Sequence, residues 1–179
     1  MLLVEALLLK VLAIPLLARI AWLDFTTQRI ANRDVLLLLC LGAGGMLLLS
    51  LQSGSWWDMG LSAVAGLVLF LALFPFWLLR KIGAGDVKLM AVIPFLTGGN
   101  DLVVFSMLLL VFALITAAAM KYPFLLPAGA FRLYVQHFDR KGVVPFGVPI
   151  SIAAICTIAF VIYKSLVLAN SSGILNQLN

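Results

Sequence analysis

Six apolar stretches, each set off from the next by a short polar break, constrain this chain more than any other feature. They run approximately from Leu2 to Leu23, Val35 to Leu51, Met59 to Leu79, Val87 to Thr97, Leu102 to Met120 and Phe146 to Ala169. A helix of roughly 20 apolar residues crosses the hydrocarbon core of a bilayer, and in lipid only helices and closed barrels satisfy their own backbone. The expectation is an all-α, polytopic membrane protein of six transmembrane helices, the fourth conspicuously short. Composition agrees: the 179 residues are 64% hydrophobic and 11% charged, with a mean hydropathy of +1.19, more apolar side chain than a soluble domain buries. No solenoid repeat or linker-like low-complexity segment interrupts the chain, so residues 1–179 read as one membrane-embedded domain. The first stretch has no basic leader region and carries Glu5 and Lys10, so it reads as a retained span and not a cleaved signal.

Lysine and arginine mark the cytoplasmic breaks. Arg29 and Arg33 fall in the first break, Arg80, Lys81 and Lys88 in the third, and Lys121, Arg132, Arg140 and Lys141 in the fifth. The second and fourth breaks and the tail from Asn170 hold none. Both termini are therefore expected outside, with breaks one, three and five in the cytoplasm. The net charge of +5 follows from this distribution, and no basic run with interleaved aromatics suggests nucleic acid. Trp56 and Trp57 suit an outer aromatic belt. Ser62 with Gly66, and Ala113 with Ala117, are spaced for close helix approach.

In the long fifth break, Phe131, Tyr134, Val135 and Phe138 share one helical face, and Arg132, Gln136 and Arg140 another. A short interfacial helix is expected there, serving as a connector or as a substrate-docking surface. His137, the only histidine, fits the polar face better than a metal site. Cys40 and Cys156 lie in separate apolar stretches with no CxxC partner and read as small buried hydrophobes. No metal and no cofactor is expected.

Seven acids can be weighed one by one. Asp58, Asp101 and Asp34 each precede an apolar stretch, where a carboxylate caps a helix N-terminus. Asp139 sits among basic residues, and Glu5 either snorkels outward or pairs with Lys10. Asp24 and Asp86 are different, since they fall at the cytoplasmic ends of the first and fourth stretches. Asp86 lies in Gly83-Ala84-Gly85-Asp86-Val87-Lys88-Leu89, where two glycines permit close approach of another chain. The shortness of the fourth stretch would hold Asp86 below the membrane surface, where an acid is costly unless paired or wetted and is a functional candidate; a helix-capping role remains the alternative. Two carboxylates at one depth can share a proton, one acting as base toward water while the other polarises a carbonyl. No HExxH, GxSxG or phosphate-loop pattern offers another chemistry.

These residues resemble the type IV prepilin peptidases, particularly the short form found with tight-adherence (Flp-type) pili. The marks are GAGDVKL around Asp86, matching a GxGD motif; Asp24 followed by Ile30-Ala31-Asn32; and Val144-Pro145-Phe146-Gly147-Val148-Pro149 opening the last stretch. The resemblance implies an inner-membrane aspartic endopeptidase whose catalytic residues are Asp24 and Asp86. It would remove basic leaders from prepilins at the cytoplasmic face, typically behind a glycine, before pilin reaches the assembly machinery. Gly83, Gly85, Asn32, Lys88 and Pro145 belong to the supporting motifs: Lys88 either tunes Asp86 or fixes topology, and Asn32 reads as a cap for the second helix. The family's Ile-Pro-Asn is Ile-Ala-Asn here. Longer family members carry an additional N-terminal region, associated with methylating new pilin ends, that this sequence lacks, so the resemblance implies protease activity and does not extend to methyltransferase activity. Two other classes fit the composition: a small proton-coupled carrier, and a noncatalytic membrane subunit of a pilus or secretion assembly.

Overall fold

The computed structural model describes residues 2–122 and 146–178, with side chains in the last segment described to Leu168. All regular structure among them is helical: α1 (Leu2–Thr27), α2 (Asn32–Ser53), α3 (Trp57–Leu78), α4 (Ala84–Thr97), a 3-10 turn (Gly99–Asp101), α5 (Leu102–Lys121) and α6 (Gly147–Leu178). The expected interfacial helix of the fifth break, with His137 and Pro145, lies outside the described residues.

Among the described residues, five helices are long and apolar enough to cross a membrane: α1, α2, α3, the 3-10 turn with α5, and α6 through Leu168. The helix α4, with 14 residues, is not among them; at ~1.5 Å per residue it spans roughly 21 Å against a hydrocarbon core near 30 Å. Its position explains its composition. Packed against α2, α3 and α6, it occupies the middle of the bundle and buries Val87, Leu89, Val92, Ile93 and Leu96. These join Ala13, Leu17 and Ile20 of α1, Leu38 of α2, and Ile150, Ala153 and Ile158 of α6 in one core.

The outer helices are apolar all round because their far sides face no protein. Val64, Leu67 and Leu71 of α3, and Val103, Met107, Leu110 and Leu114 of α5, are all exposed, as lipid-facing positions are. Ser62 and Gly66 are the buried pair on α3. A Cβ on Gly66 would stand 2.5 Å from the carbonyl oxygen of Ala91, so the missing side chain is what lets α3 lie on α4. Ala113 and Ala117 do not pack in this way: Ala117 is exposed, and Ala113 lines a cleft.

Of the three acids expected as helix caps, Asp101 holds the N-cap position of α5 without a side-chain cap bond, and all three have other partners. Asp34 is fully buried inside the first turn of α2 and takes Arg19 Nη1 at 3.2 Å, with Arg33 Nε at 3.9 Å. Asp58 accepts from Asn100 Nδ2 at 2.9 Å, and Asp101 pairs with Lys164 at 3.1 Å. Lys10 is not paired with Glu5. It faces inward, 4% exposed, and donates to the Leu96 carbonyl at 2.9 Å, because the inner face of α1 meets the end of α4 there. Cys40 and Cys156 are free thiols; Cys40 is exposed, against the expectation of burial, since it sits on the outward side of α2.

Candidate active site

Asp24 lies one turn before the end of α1 and is 5% exposed. Its carboxylate faces the start of α6, where the backbone N–H groups of Gly147 and Val148 approach it. Free N–H groups in a first helical turn favour an anion at that place. Oδ2 is buried and makes no hydrogen bond of standard geometry with a described residue. The contact depends on Gly147: a Cβ there would fall 2.8 Å from both Cγ and Oδ2 of Asp24.

Asp86 is the third residue of α4, after Gly83 as N-cap. Its carboxylate reaches back to the Gly83 N–H, which is half of a capping box, so the capping role coexists with the site. Gly85 admits the turn between α1 and α2, since a Cβ on it would be 2.8 Å from the Cβ of Ile30. The same turn supplies Asn32, whose Oδ1 accepts from Lys88 Nζ at 2.9 Å. Asn32 is not the cap of α2; Ala31 holds that position, and no side chain bonds across it. Lys88 makes its bond to this amide.

The two aspartates, 62 residues apart in sequence, lie at the same end of the bundle, within range for the charge of Asp24 to act on Asp86. Asp86 also lines a cleft of about 350 Å³ whose walls are Leu73 of α3, Met90 of α4, Ser106, Leu109 and Ala113 of α5, and Ile150 of α6. The cleft exists because α3 and α5 scarcely touch, leaving α4 as its floor. It is almost wholly apolar, with the carboxylate at one end. A chain lying in it would bring a peptide bond to two acidic groups, a juxtaposition suited to adding water across that bond. Among the described residues no three of His, Cys, Asp and Glu gather as a metal site.

Sequence reasoning singled out both acids, the two motif glycines, Asn32 and Lys88, and the structure places all six at one end of the bundle. It missed the cradle at the start of α6, although Gly147 stood within the Pro-Phe-Gly mark, and it missed the Arg19–Asp34 pair. Pro145 lies outside the described residues.

The curated proteins and the solved structures returned no match. The model of the type IV leader peptidase family matches residues 11–121, which include Asp24, Asn32, Gly83, Gly85, Asp86 and Lys88. With most of its length matched, the chain belongs to the type IV leader peptidase family.

Proposed function

We propose that this protein is an aspartic endopeptidase that removes basic leaders from type IV or Flp prepilins at the cytoplasmic face of the inner membrane. The observation that carries this reading is the arrival of Asp24 and Asp86, from distant parts of the chain, at one end of the bundle, with Asp86 lining an apolar cleft. Brought to one scissile bond, the two carboxylates would share a proton, because like charges in contact do not both ionise cheaply. The ionised partner draws a proton from water as the oxygen attacks the scissile carbonyl. The protonated partner hydrogen-bonds the carbonyl oxygen and stabilises the charge that develops there. Collapse of the tetrahedral intermediate expels the amine, which takes up a proton and leaves as the new pilin N-terminus.

The cytoplasmic assignment follows from charge. Arg29, Arg33, Arg80, Lys81 and Lys88 lie on the turns, or beside them, at the end of the bundle that holds the aspartates, and such residues stay on the inner side. A carrier would place its acids near the midplane, whereas these two lie at helix ends. Alternation of six crossings puts both termini outside and requires α4 to complete its passage with its flanking turns.

The test is incubation of membranes containing this protein with a prepilin, followed by mass spectrometry of the product. Removal of the leader at one peptide bond, unaffected by chelators and serine-directed reagents, is expected. An intact prepilin, or cleavage lost to a chelator and restored by zinc, would contradict the two-aspartate mechanism.

A further inference from the structure

The helices that carry the two aspartates make few close backbone approaches to each other. The closest backbone neighbours of α1 are α2 and α6, and those of α4 are α3, α2 and α6, while the hydrogen bond that joins α1 to α4, Lys10 to the Leu96 carbonyl, lies at the far end of α4 from Asp86. Direct packing of their own helices therefore does not set the spacing of Asp24 and Asp86, and other parts of the chain must. Two ties converge on it. On one side, the first turn of α6 holds the Asp24 carboxylate through Gly147 and Val148. On the other, the turn joining α1 to α2 leaves α1 one turn past Asp24 and runs directly onto the start of α4.

That turn is shaped for the purpose. Gln28 adopts a left-handed backbone, φ +54°, uncommon for a residue with a side chain, while its N–H still bonds the Asp24 carbonyl at 3.0 Å. The reversal sends Ile30 against Gly85, the residue before Asp86. It also sets Asn32 Oδ1 2.9 Å from Lys88 Nζ, two residues beyond Asp86. Ile30 and Asn32 thus grip α4 on both sides of the acid, one by van der Waals contact and one by a hydrogen bond. Both partners of the bond are exposed, and an exposed pair of this kind contributes little to folding stability. Catalysis is far steeper in distance than stability is.

We infer that the Asn32–Lys88 hydrogen bond, with the Ile30–Gly85 contact, is the strut that holds Asp86 at its working distance from Asp24, making Asn32 and Lys88 positioning residues of the proposed two-aspartate protease. Lys88 acts through the amide it binds, and its charge is incidental to the chemistry. Loss of the bond would let the first turn of α4 drift without unfolding the bundle, since the buried face of α4 is held by the core.

The experiment uses the full chain, purified and reconstituted, with a prepilin substrate and six forms: wild type, Asn32→Ala, Lys88→Met, the double variant, Asn32→Asp and Lys88→Arg. Each disruptive single variant is expected to lower kcat by roughly tenfold to a hundredfold, as a displacement near 1 Å would, with KM within about twofold of wild type. The double variant should be no worse than the poorer single one, as for two halves of one contact. Asn32→Asp and Lys88→Arg, which keep an acceptor and a donor, should recover most of the rate. Losses that multiply in the double variant, a change in KM alone, or wild-type kcat in Asn32→Ala would overturn the strut.

Position is also read without catalysis. Spin labels on Trp22→Cys and Lys81→Cys, both exposed sites, in a background with Cys40→Ala and Cys156→Ala, report the distance between the end of α1 and the approach to α4. Adding Asn32→Ala should broaden that distribution, and an unchanged distribution overturns the strut. Should wild type fail to cut prepilin, the protease reading falls on that result while the label distances still decide the strut.

Discussion

Gly147 offers a substitution whose effect on activity and on stability should separate cleanly. An alanine Cβ at this position would lie 2.8 Å from Asp24 Cγ and Oδ2 and 3.0 Å from Asp24 Cβ. Carbon atoms prefer about 3.5–4.0 Å, so one side of the contact must give by roughly 0.7–1.2 Å. Asp24 is short, 5% exposed, and fixed on a packed helix; its carboxylate therefore rotates away from the first turn of α6, or that turn lifts. Either movement misplaces the acid by close to 1 Å, for which about a hundredfold loss of rate is typical, equivalent to about 2.7 kcal/mol of activation free energy. Stability should change little, because alanine is a better helix former than glycine by up to about 1 kcal/mol, which offsets the local repacking. The assay is leader cleavage at saturating prepilin by purified Gly147→Ala, run beside a thermal melt. The expected result is a folded protein with a melting temperature near that of wild type and roughly 1% of its kcat. Wild-type turnover in this variant would refute the claim that the start of α6 positions Asp24.

Three further outcomes follow. Gly85→Ala should push Ile30 out of contact and lower cleavage strongly, and Ile30→Ala in the same chain should restore much of it, measured as kcat for the single and double variants; equal activity of Gly85→Ala and wild type would argue against the close approach. Arg19→Met leaves Asp34 fully buried with only the longer Arg33 contact, and should cost about 1–3 kcal/mol in denaturant or thermal unfolding, less than a fully buried pair because Arg19 is half-exposed; no loss would mean that Asp34 finds another partner. Ala113→Trp should fill the cleft between α3 and α5 and raise KM for prepilin with the fold intact, whereas unchanged KM would place the substrate elsewhere.

The helical fold was legible in the sequence, and the two acids stood out in it, for the same reason. In a chain so poor in charge, an acid in an apolar stretch or at its edge is conspicuous, and the length of each stretch fixes its secondary structure. The inner faces were not legible. The spans are apolar on every side, so no amphipathic stripe reveals which residues turn inward. Lys10 and Arg19 therefore gave no sign that one would bind the Leu96 carbonyl and the other Asp34. Asp34, Asp58 and Asp101 read as caps because they precede apolar runs, yet each found a cationic or amide partner from another part of the chain. The shortness of α4 was visible, but its place at the centre of the bundle depends on contacts from three other helices. The cradle at Gly147 and Val148 was equally hidden, since only the folded chain brings the start of α6 to Asp24.

The most direct test of the central claim is prepilin cleavage by Asp24→Asn and Asp86→Asn, each close in shape to the native side chain but unable to share a proton as an acid. Both variants should fold and bind prepilin, and neither should release a leader detectable by mass spectrometry under conditions where wild type completes the reaction. Leader release by either variant at a rate approaching wild type would remove that aspartate from the chemistry and contradict the account.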